Sequence, residues 1–555
     1  MDTNTNTKLI NNINQLLHNK GIKQEERFEL LIKLLENNKN NVIDSKYQDI
    51  LSIINAIDYD NKDLIQEIFM LLGSKLTKYK LDQFYTPLTI SKFINSLMIN
   101  DTNKRAIDPA GGTGDLLLYY NGSKTIWDID SNALQLCKFN YELNKKDNYS
   151  LVCKNSLADF KSEEGTYDYV TMNPPFGSST IITDNAILDN FAMGKGKKKQ
   201  EIGILFLELG LKLLKNDGIL FAIIPAGYVG NCNKTCLELR QLLLNNLTIA
   251  SIELPKNTFK RSGTGVNTYL LIVKKREMSK PYNIFITGIE NIGYNLTKKE
   301  TPLKYKIIRE TGKLLKDEHN KPILDNDLED CYLKLSSYCS ENKITNTNTN
   351  TISISNKTIE YEFVKSCDLI NTILDVKRYC KEYLLLVKKL SIRNAINVNK
   401  IAKILNSTTK IDDMKKYKYI DISEITSPFY SFKDLYGWEL PSRAKYTLQK
   451  YDILVSKLEG TMSYCVILDD CDNYISTNGV AVLRANNMNS LYVLLNNIMQ
   501  KDFVIQHTAY LTGSIMASLS DKDIGEFLID DKNIDIESTK RILETLEQLH
   551  KLRMQ

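Results

Sequence analysis

The chain has 555 residues, which is too long for a single hydrophobic core, so we expect two to four domains. Hydrophobic residues make up 43% of it and charged residues 25%, the balance of an ordinary soluble globular protein. The formal net charge is only +5, which excludes a globally basic surface, so a nucleic-acid partner would have to bind local basic patches.

The ten cysteines and four histidines lack the paired spacing of a metal site. Only Cys232 and Cys236 lie close together, with no histidine near them, so we expect no bound metal. Unpaired cysteines and a polar N-terminus without a signal pattern favour a reducing compartment, which is the bacterial cytoplasm or, for a viral protein, the host cytoplasm. The longest apolar run, 218–230, contains Pro225 and is too short to cross a bilayer.

Residues 1–80 form the first predicted domain. Apolar residues recur there at helical spacing, for example Leu9, Ile13, Leu16 and Leu17, and no segment reads as a strand. The pattern predicts a small helical bundle.

Alternating strand and helix patterns begin after residue 81 and predict a parallel α/β sheet through residue 335. The first predicted strand, 105–108, runs into the glycines of 111–114, and a helix pattern follows. A strand, a glycine turn and a helix N-terminus bring backbone N–H groups up to a ligand. Gly112 and Gly114 match half of the dinucleotide motif G-x-G-x-x-G, but Leu117 stands at its third position, which argues against a dinucleotide enzyme.

The next predicted strand, 125–130, ends in two acidic residues, Asp128 and Asp130. A carboxylate at this position can accept hydrogen bonds from both hydroxyls of a ribose. Asp130 also suits the N-cap of a helix that begins near Asn132.

A buried strand pattern over 167–172 stops at the double proline of Asn173-Pro174-Pro175-Phe176. Proline cannot extend a central ladder, so Asn173 is displayed at a strand end. The Asn173 amide and the Pro174 carbonyl offer two acceptors, and Phe176 offers a flat face, which together suit a planar ring with a conjugated NH₂ group. By itself the motif would fit a simple turn equally well.

These motifs resemble the adenine-N6 DNA methyltransferases that use S-adenosylmethionine (SAM), most closely the methylation subunits of type I restriction-modification systems. Gln83-Phe84-Tyr85-Thr86-Pro87 upstream strengthens the resemblance, which covers about residues 80 to 335. It implies a Rossmann-like, mostly parallel, doubly wound sheet, SAM as cofactor, and duplex DNA as substrate. It also gives the bundle of 1–80 a role in closing around DNA, although a plain packing role fits those residues equally well.

The resemblance assigns roles to individual residues. The catalytic residues are Asn173, Pro174, Pro175 and Phe176. Asp128 takes the ribose, and Asn155 stands where family members carry Asp beside the cofactor adenine. The predicted SAM-binding residues are Phe84, Tyr85, Thr86, Asp108, Ala110, Gly112, Gly114, Asp128, Ile129, Asn155 and Ser156.

Two basic segments are predicted to contact DNA. Four lysines, Lys195, Lys197, Lys198 and Lys199, lie on a glycine-containing loop beside the catalytic motif, where phosphate contact is favoured over a merely solvated loop. Phe259 precedes a second basic loop and either covers an extruded base or packs in the core.

Residues 336–360 are predicted to be a linker because 342–356 is a Thr/Asn repeat without an apolar face. Residues 361–535 resemble one target-recognition domain of a type I specificity subunit. A helix over 536–555 would follow, with Leu543, Leu546 and Leu549 on one face. That face either pairs two copies of the chain as a homodimer or packs back on the recognition domain.

The resulting hypothesis is a sequence-specific methyltransferase that flips adenine out of double-stranded DNA and methylates its N6 amino group. Restriction or specificity subunits are the further partners that the resemblance implies. The same Asn-Pro-Pro-Phe chemistry could act on a protein glutamine or an RNA base, but those enzymes need no second domain of some 200 residues. A catalytically idle scaffold is disfavoured by intact Asn173, Phe176, Gly114 and Asp128.

Overall fold

The computed structural model describes most of the chain: residues 3–39, 45–56, 86–98, 101–175, 180–260, 265–297, 302–341, 361–369, 372–406, 408–460, 462–470, 473–514 and 516–554. The chain folds into two compact units, residues 1–374 (unit 1) and 375–555 (unit 2). No described helix combines the length and the hydrophobicity needed to cross a membrane.

Unit 1 begins with three helices, α1 (Thr3–Asn19), α2 (Gln24–Lys39) and α3 (Gln48–Ile54). Their buried faces form one apolar cluster that includes Ile10, Ile13 and Ile50. The cluster also contains Leu136 and Phe139 from a later helix, so these helices pack against the body of unit 1. The predicted bundle residues 57–80 lie outside the described residues.

A nine-stranded sheet forms the centre of unit 1. Its strands in spatial order are β11, β10, β8, β9, β7, β4, β1, β2 and β3. Their bounds are β1 (Arg105–Asp108), β2 (Ser123–Asp128), β3 (Tyr149–Cys153), β4 (Tyr167–Met172), β7 (Leu214–Pro225), β8 (Asn246–Glu253), β9 (Thr268–Glu277), β10 (Asn283–Gly288) and β11 (Tyr361–Lys365). Two further strands, β5 (Ile181–Ile182) and β6 (Gln200–Glu201), pair with each other outside this sheet.

Most neighbouring strands of the sheet are parallel. β9 runs antiparallel to both β7 and β8, and β11 runs antiparallel to β10. The other seven strands therefore end at one common side, which we call the carboxyl edge. This architecture confirms the predicted α/β fold of SAM-dependent methyltransferases, with a mixed, mostly parallel central sheet.

Helices cover both faces of the sheet and bury a continuous core that includes Phe93, Leu117, Phe221 and Leu270. Such burial stabilises by about 25 cal/mol for each Å² of apolar surface removed from water. The remaining helices of unit 1 are α4 (Leu88–Ser96), α5 (Ser131–Leu143), α6 (Asn185–Leu188), α7 (Ile202–Leu213), α8 (Ala226–Gly230), α9 (Lys234–Leu244) and α10 (Leu328–Glu341).

In the segment between β10 and α10, three short stretches near residues 305–307, 314–316 and 322–324 pair antiparallel with one another. The outer part of this segment, residues 302–325, is called the β-arm below. Isolated bridges join Tyr305 to Leu324, Ile307 to Leu314, and Lys316 to Pro322. Backbone hydrogen bonds such as Leu315 N to Lys306 O at 2.9 Å continue between these bridges.

Two predicted boundaries of the linker are wrong. Residues 336–341 belong to α10, which ends at Glu341. Residues 361–365, assigned to the recognition domain, form β11 of the unit 1 sheet. Residues up to Leu374 stay attached to unit 1, since Leu374 N donates to Val229 O at 3.0 Å and the Ser251 hydroxyl donates to Leu374 O at 2.7 Å. The change of domain therefore falls at residue 375, and 342–360 lies outside the described residues.

Unit 2 contains two four-stranded sheets, in the orders β13-β22-β19-β20 and β17-β14-β21-β18. The strands of unit 2 are β12 (Ile396–Asn397), β13 (Ala402–Ile404), β14 (Lys416–Ile420), β15 (Ile425–Thr426), β16 (Phe429–Tyr430), β17 (Lys433–Tyr436), β18 (Ala444–Thr447), β19 (Ile453–Ser456), β20 (Tyr464–Val466), β21 (Tyr474–Thr477), β22 (Val480–Ala485) and β23 (Leu528–Ile529). Its helices are α11 (Lys381–Ile392), α12 (Met488–Ile498), α13 (Lys501–Tyr510), α14 (Asp521–Gly525) and α15 (Ile536–Met554).

The last helix, α15, packs back on unit 2. Leu543 is 4% exposed and Leu546 is 8% exposed, whereas Leu549 is 44% exposed. His550 Nε2 lies 3.1 Å from Asp469 Oδ2, which also accepts from the Tyr430 hydroxyl at 3.0 Å. Of the two roles left open for this helix, packing on its own unit accounts for Leu543 and Leu546, since neither is exposed for a second copy.

Candidate active site

The Asn-Pro-Pro segment lies at the centre of the carboxyl edge. It follows β4, which is buried at all six positions and pairs with β1 and β7. Asn173 Nδ2 donates to Thr86 Oγ1 at 3.2 Å, and Thr86 is 3% exposed. This hydrogen bond fixes the orientation of the Asn173 carboxamide. Phe176, Phe84 and Tyr85 lie outside the described residues, so their predicted roles remain predictions.

The glycine loop, residues 111–114, follows β1 and packs closely against neighbouring segments of unit 1. Gly111 N donates to Trp127 O at 2.9 Å, and a Cβ on Gly111 would lie 2.3 Å from the Ile126 side chain. Gly114 has a φ of +76°, and a Cβ there would meet Cys137 Sγ at 2.5 Å. Gly114 shapes the loop and does not itself line the neighbouring cavity, and its predicted role as a cofactor contact stays a prediction.

Two carboxylates occupy the strand ends beside this loop. Asp128 Oδ2 accepts from Gly112 N at 2.8 Å and Oδ1 accepts from Asp130 N at 2.9 Å. Burial raises the pKa of Asp128, and these two amide donors partly offset the increase. Burial also raises the pKa of Asp108 to about 8, although Ala110 N donates to its Oδ1 at 3.1 Å. The Asp130 carboxylate accepts from Asn132 N at 2.9 Å, so Asp130 caps α5.

The segment after β3, residues 154–157, adds further polar groups to the same region. Asn155 Oδ1 accepts from Leu157 N at 3.1 Å, and the Ser156 hydroxyl donates to Pro109 O. Lys154, which sequence analysis missed, lies with its Nζ 3.4 Å from the centre of the Trp127 ring. Burial lowers the pKa of Lys154. Its position next to Asn155, directly after a strand, was the signal that could have identified it.

These elements enclose a cavity of about 390 Å³, within the size range of small-molecule sites. Of the predicted residues, the cavity brings together Thr86, Asp108, Ala110, Gly112, Asp128, Ile129, Asn155, Ser156, Asn173 and Pro175. Sequence analysis did not predict the lining by Pro109, Gly111, Thr113, Asp115, Leu116, Asp130, Lys154, Leu157, Thr180, Ile182, Ile202 and Phe206. Pro174 is buried and is not part of the lining.

The donor set fits SAM. The Asp128 carboxylate supplies acceptors for hydroxyl groups at the strand ends, and Asp108, whose pKa burial raises to about 8, lines the same cavity. Ile129 and Ile182 supply apolar surface in the same cavity, as a nucleoside ring requires. The carboxamide of Asn173 opens onto the same space, so one cavity joins the predicted cofactor residues to the predicted catalytic residue.

The predicted DNA-contact residues divide into two groups. Lys195, Lys198 and Lys199 are exposed, and Lys197 pairs with Glu238 at 3.0 Å. The loop that carries them is held by Glu208, whose carboxylate accepts from Ala192 N at 2.7 Å and from Met193 N at 2.8 Å.

Phe259 is 0% exposed and belongs to the main core of unit 1. Burying a phenylalanine side chain stabilises the folded state by about 1.5–3 kcal/mol relative to leaving that side chain exposed. The core position is therefore favoured over a position on the basic loop. The predicted DNA contact through Phe259 is therefore wrong, and its alternative core role is the one observed.

Comparison with known proteins identifies the family. Residues 60–360 match the family model for N-6 DNA methylases. The methylase subunit of the type I restriction enzyme EcoEI from Escherichia coli is 24% identical over 290 residues, which cover 46% of this chain and 56% of that protein. The MjaVII methylase subunit from Methanocaldococcus jannaschii is 23% identical over 287 residues, covering 44% of this chain and 49% of that protein. The chain thus spans about half the length of these curated relatives.

Among solved structures, the methyltransferase subunit of a type I restriction-modification system from Streptococcus thermophilus is similar to this chain with a TM-score of 0.39. It is 18% identical, and the match covers 61% of this chain and 77% of that one.

Proposed function

The chain belongs to the N-6 DNA methylase family, and from this premise we propose that it transfers a methyl group from SAM to the N6 amino group of adenine in double-stranded DNA. The observation that carries the proposal is the shared cavity that Asn173, Asp128 and the glycine loop all line. A catalytic amide and a ribose-binding carboxylate in one cavity are what methyl transfer between a nucleoside cofactor and an amino group requires.

Asp128, Asn155 and the backbone of Ala110 to Gly112 would hold the cofactor. SAM, when bound there, supplies a methyl group on a positively charged sulfur. The pairing of Asp128 with Gly112 N holds the carboxylate in place before the ligand arrives, which avoids reorganisation on binding.

The target adenine must leave the duplex before its amino nitrogen can reach Asn173, because that nitrogen is otherwise paired. Asn173 Oδ1 and the Pro174 carbonyl then accept the two N–H bonds and draw the nitrogen lone pair out of conjugation with the ring. Thr86 orients the Asn173 amide for this role. Phe176 stacks on the adenine, and Lys195, Lys198 and Lys199 contact phosphates nearby. Rate enhancement then comes mainly from alignment and fixed dipoles.

A second part of the proposal concerns unit 2. Its resemblance to one target-recognition domain supports a chain in which methylation and sequence selection are fused. A separate specificity subunit would then be unnecessary, which leaves a restriction subunit as the protein partner. Truncation after Leu374 removes unit 2 and retains β11. We expect the truncated chain to bind SAM but to lose methylation at its motif; an unchanged motif would refute the recognition role.

Substrate class is tested with purified chain and isotope-labelled SAM. We expect label in adenine of duplex DNA and none in RNA or protein, and Asn173→Ala should abolish incorporation. Label in RNA or in a protein glutamine would instead support the alternative substrates of the same motif.

A further inference from the structure

The β-arm is ordered by backbone pairing, yet it contributes little to any core. Residues 307–322 are all exposed except Leu315, which is half-buried. Ladder hydrogen bonds hold the arm, for example Lys306 N to Ile323 O at 2.9 Å and Ile308 N to Lys313 O at 2.8 Å. At about 3.3 Å for each extended residue, the segment 302–308 would span about 20 Å.

The arm starts from the carboxyl edge. β10 runs parallel to β8, and the chain leaves β10 after Gly288 at this edge. At the base of the arm, the Thr89 hydroxyl donates to Ile292 O at 2.7 Å. Thr89 lies in the first turn of α4, three residues after Thr86, which contacts Asn173. The base of the arm is therefore fixed beside the candidate catalytic residue.

Its surface combines apolar and cationic side chains. Ile307 is 60% exposed, Leu314 is 44% exposed, and the bridge between them places both on one face. The β-arm contains six lysine or arginine residues and four acidic ones. One acidic residue, Asp325, is neutralised by Lys304 at 2.9 Å. The cations farther out are Lys306, Arg309, Lys313, Lys316 and Lys321.

We propose that the β-arm lies in a groove of the duplex DNA beside the target adenine. The inference rests on the proposed function, because DNA whose adenine enters the cavity must lie over the carboxyl edge from which the arm extends. The outer hairpin of the arm, residues 306–315, has two strands that pair through Ile307 and Leu314, and a hairpin of two strands fits the major groove, which is about 12 Å wide. Cations on the arm then contact phosphates, while Ile307 and Leu314 face the base edges. An apolar face alone would fit a protein partner equally well; the cations and the position at the edge favour DNA.

The triple variant Arg309→Ala/Lys313→Ala/Lys316→Ala tests the phosphate contacts. All three side chains are exposed, so the fold should be retained, and calorimetric titration with SAM checks that the cavity is intact. Binding of a fluorescent 40-bp duplex of mixed sequence, about four helical turns, is measured between 50 and 200 mM salt. Each lost phosphate contact lowers the slope of log affinity against log salt by about 0.9, so the slope should fall by about 2 to 3 and affinity should fall at least tenfold.

The matched control is Lys138→Ala/Lys161→Ala/Lys280→Ala, which removes the same charge from exposed positions away from the arm. It should bind DNA as the wild type does. Equal affinity and slope in the arm variant and this control would overturn the inference and point to a protein partner for the arm. If the wild type methylates DNA while the arm variant is unimpaired, only this inference fails; if the wild type neither binds nor methylates DNA, the proposed function fails as well.

The double variant Ile307→Ser/Leu314→Ser provides an independent test of the apolar face. It should weaken DNA binding without changing the salt slope, and unchanged affinity would contradict the groove contact.

Discussion

Asn173 and Thr86 are 87 positions apart in the sequence, yet the Asn173 amide nitrogen donates to the Thr86 hydroxyl at 3.2 Å. The contact joins the segment before α4 to the end of β4. It leaves the orientation of the Asn173 amide, the proposed catalytic group, dependent on a residue outside the Asn-Pro-Pro motif.

Thr86→Val should therefore lower kcat at saturating SAM. Removing one hydrogen bond between neutral groups costs about 0.5–1.5 kcal/mol, which corresponds to roughly a two- to tenfold lower rate. Thr86→Ser keeps the hydroxyl and should retain the rate of the wild type. Single-turnover methylation measures the rate and calorimetry measures SAM affinity. Equal rates for the Val and Ser variants would show that the hydrogen bond does not orient Asn173.

Asp128 and Asn173 should separate cofactor binding from chemistry. Asp128→Ala should weaken SAM binding by about 1.5–3 kcal/mol, the scale of hydrogen bonds to a charged group. Asn173→Ala should abolish methyl transfer while SAM still binds. Titration calorimetry with SAM decides between the assignments, since an equal loss of affinity in both variants would contradict them.

Asp108 should make the stability of unit 1 depend on pH. Burial raises the pKa of Asp108 from its ordinary 3.8 to about 8, so the folded state binds this proton more tightly than the unfolded state does. The stabilisation is complete below about pH 4 and is lost as the pH rises toward 8.

The free energy of unfolding of the wild type, relative to Asp108→Asn, should therefore fall between pH 4 and 8. Urea unfolding at pH 5, 6.5 and 8 measures this difference. Asp147→Asn replaces an exposed carboxyl of the same unit and serves as the control. A difference that rises with pH would show that Asp108 is charged in the folded state.

The α15 leucines should act on stability and not on association. Leu543→Ala should destabilise unit 2 by about 2–5 kcal/mol, because the buried side chain leaves a cavity. Leu549→Ala, at an exposed position, should change stability by less than about 0.5 kcal/mol. Denaturant unfolding measures both effects, and light scattering measures the mass. A dimer that dissociates in the Leu543 variant without loss of stability would restore the pairing role.

Local sequence patterns predicted the centre of the fold well. Asp108, Gly112 and Asp128 lie on one stretch of two strands joined by the glycine loop and a short 3-10 helix, Asp115–Leu117, and Asn173 follows a fully buried strand. Local rules therefore brought these residues to one edge of the sheet. Thr180 and Phe206 could not be predicted in this way, because their places in the cavity depend on the packing of the segment after the catalytic motif.

Errors arose where tertiary context outweighed local composition. Phe259 adjoins a basic loop, but its apolar side chain is buried in the core. Residues 361–365 follow a polar repeat and resemble the start of a new domain. Their assignment to unit 1 required knowledge of their pairing partner, β10, some 80 positions earlier.

The central claim is that this chain methylates adenine in DNA through Asn173. The most direct measurement is methylation-sensitive sequencing of DNA from cells that express the chain alone, in parallel with cells that express Asn173→Ala at the same level. The account predicts N6-methyladenine at one recurring sequence motif with the wild type and none with the variant. Unmodified DNA from cells that contain folded, SAM-binding wild type, or an unchanged methylation pattern in the variant, would contradict it.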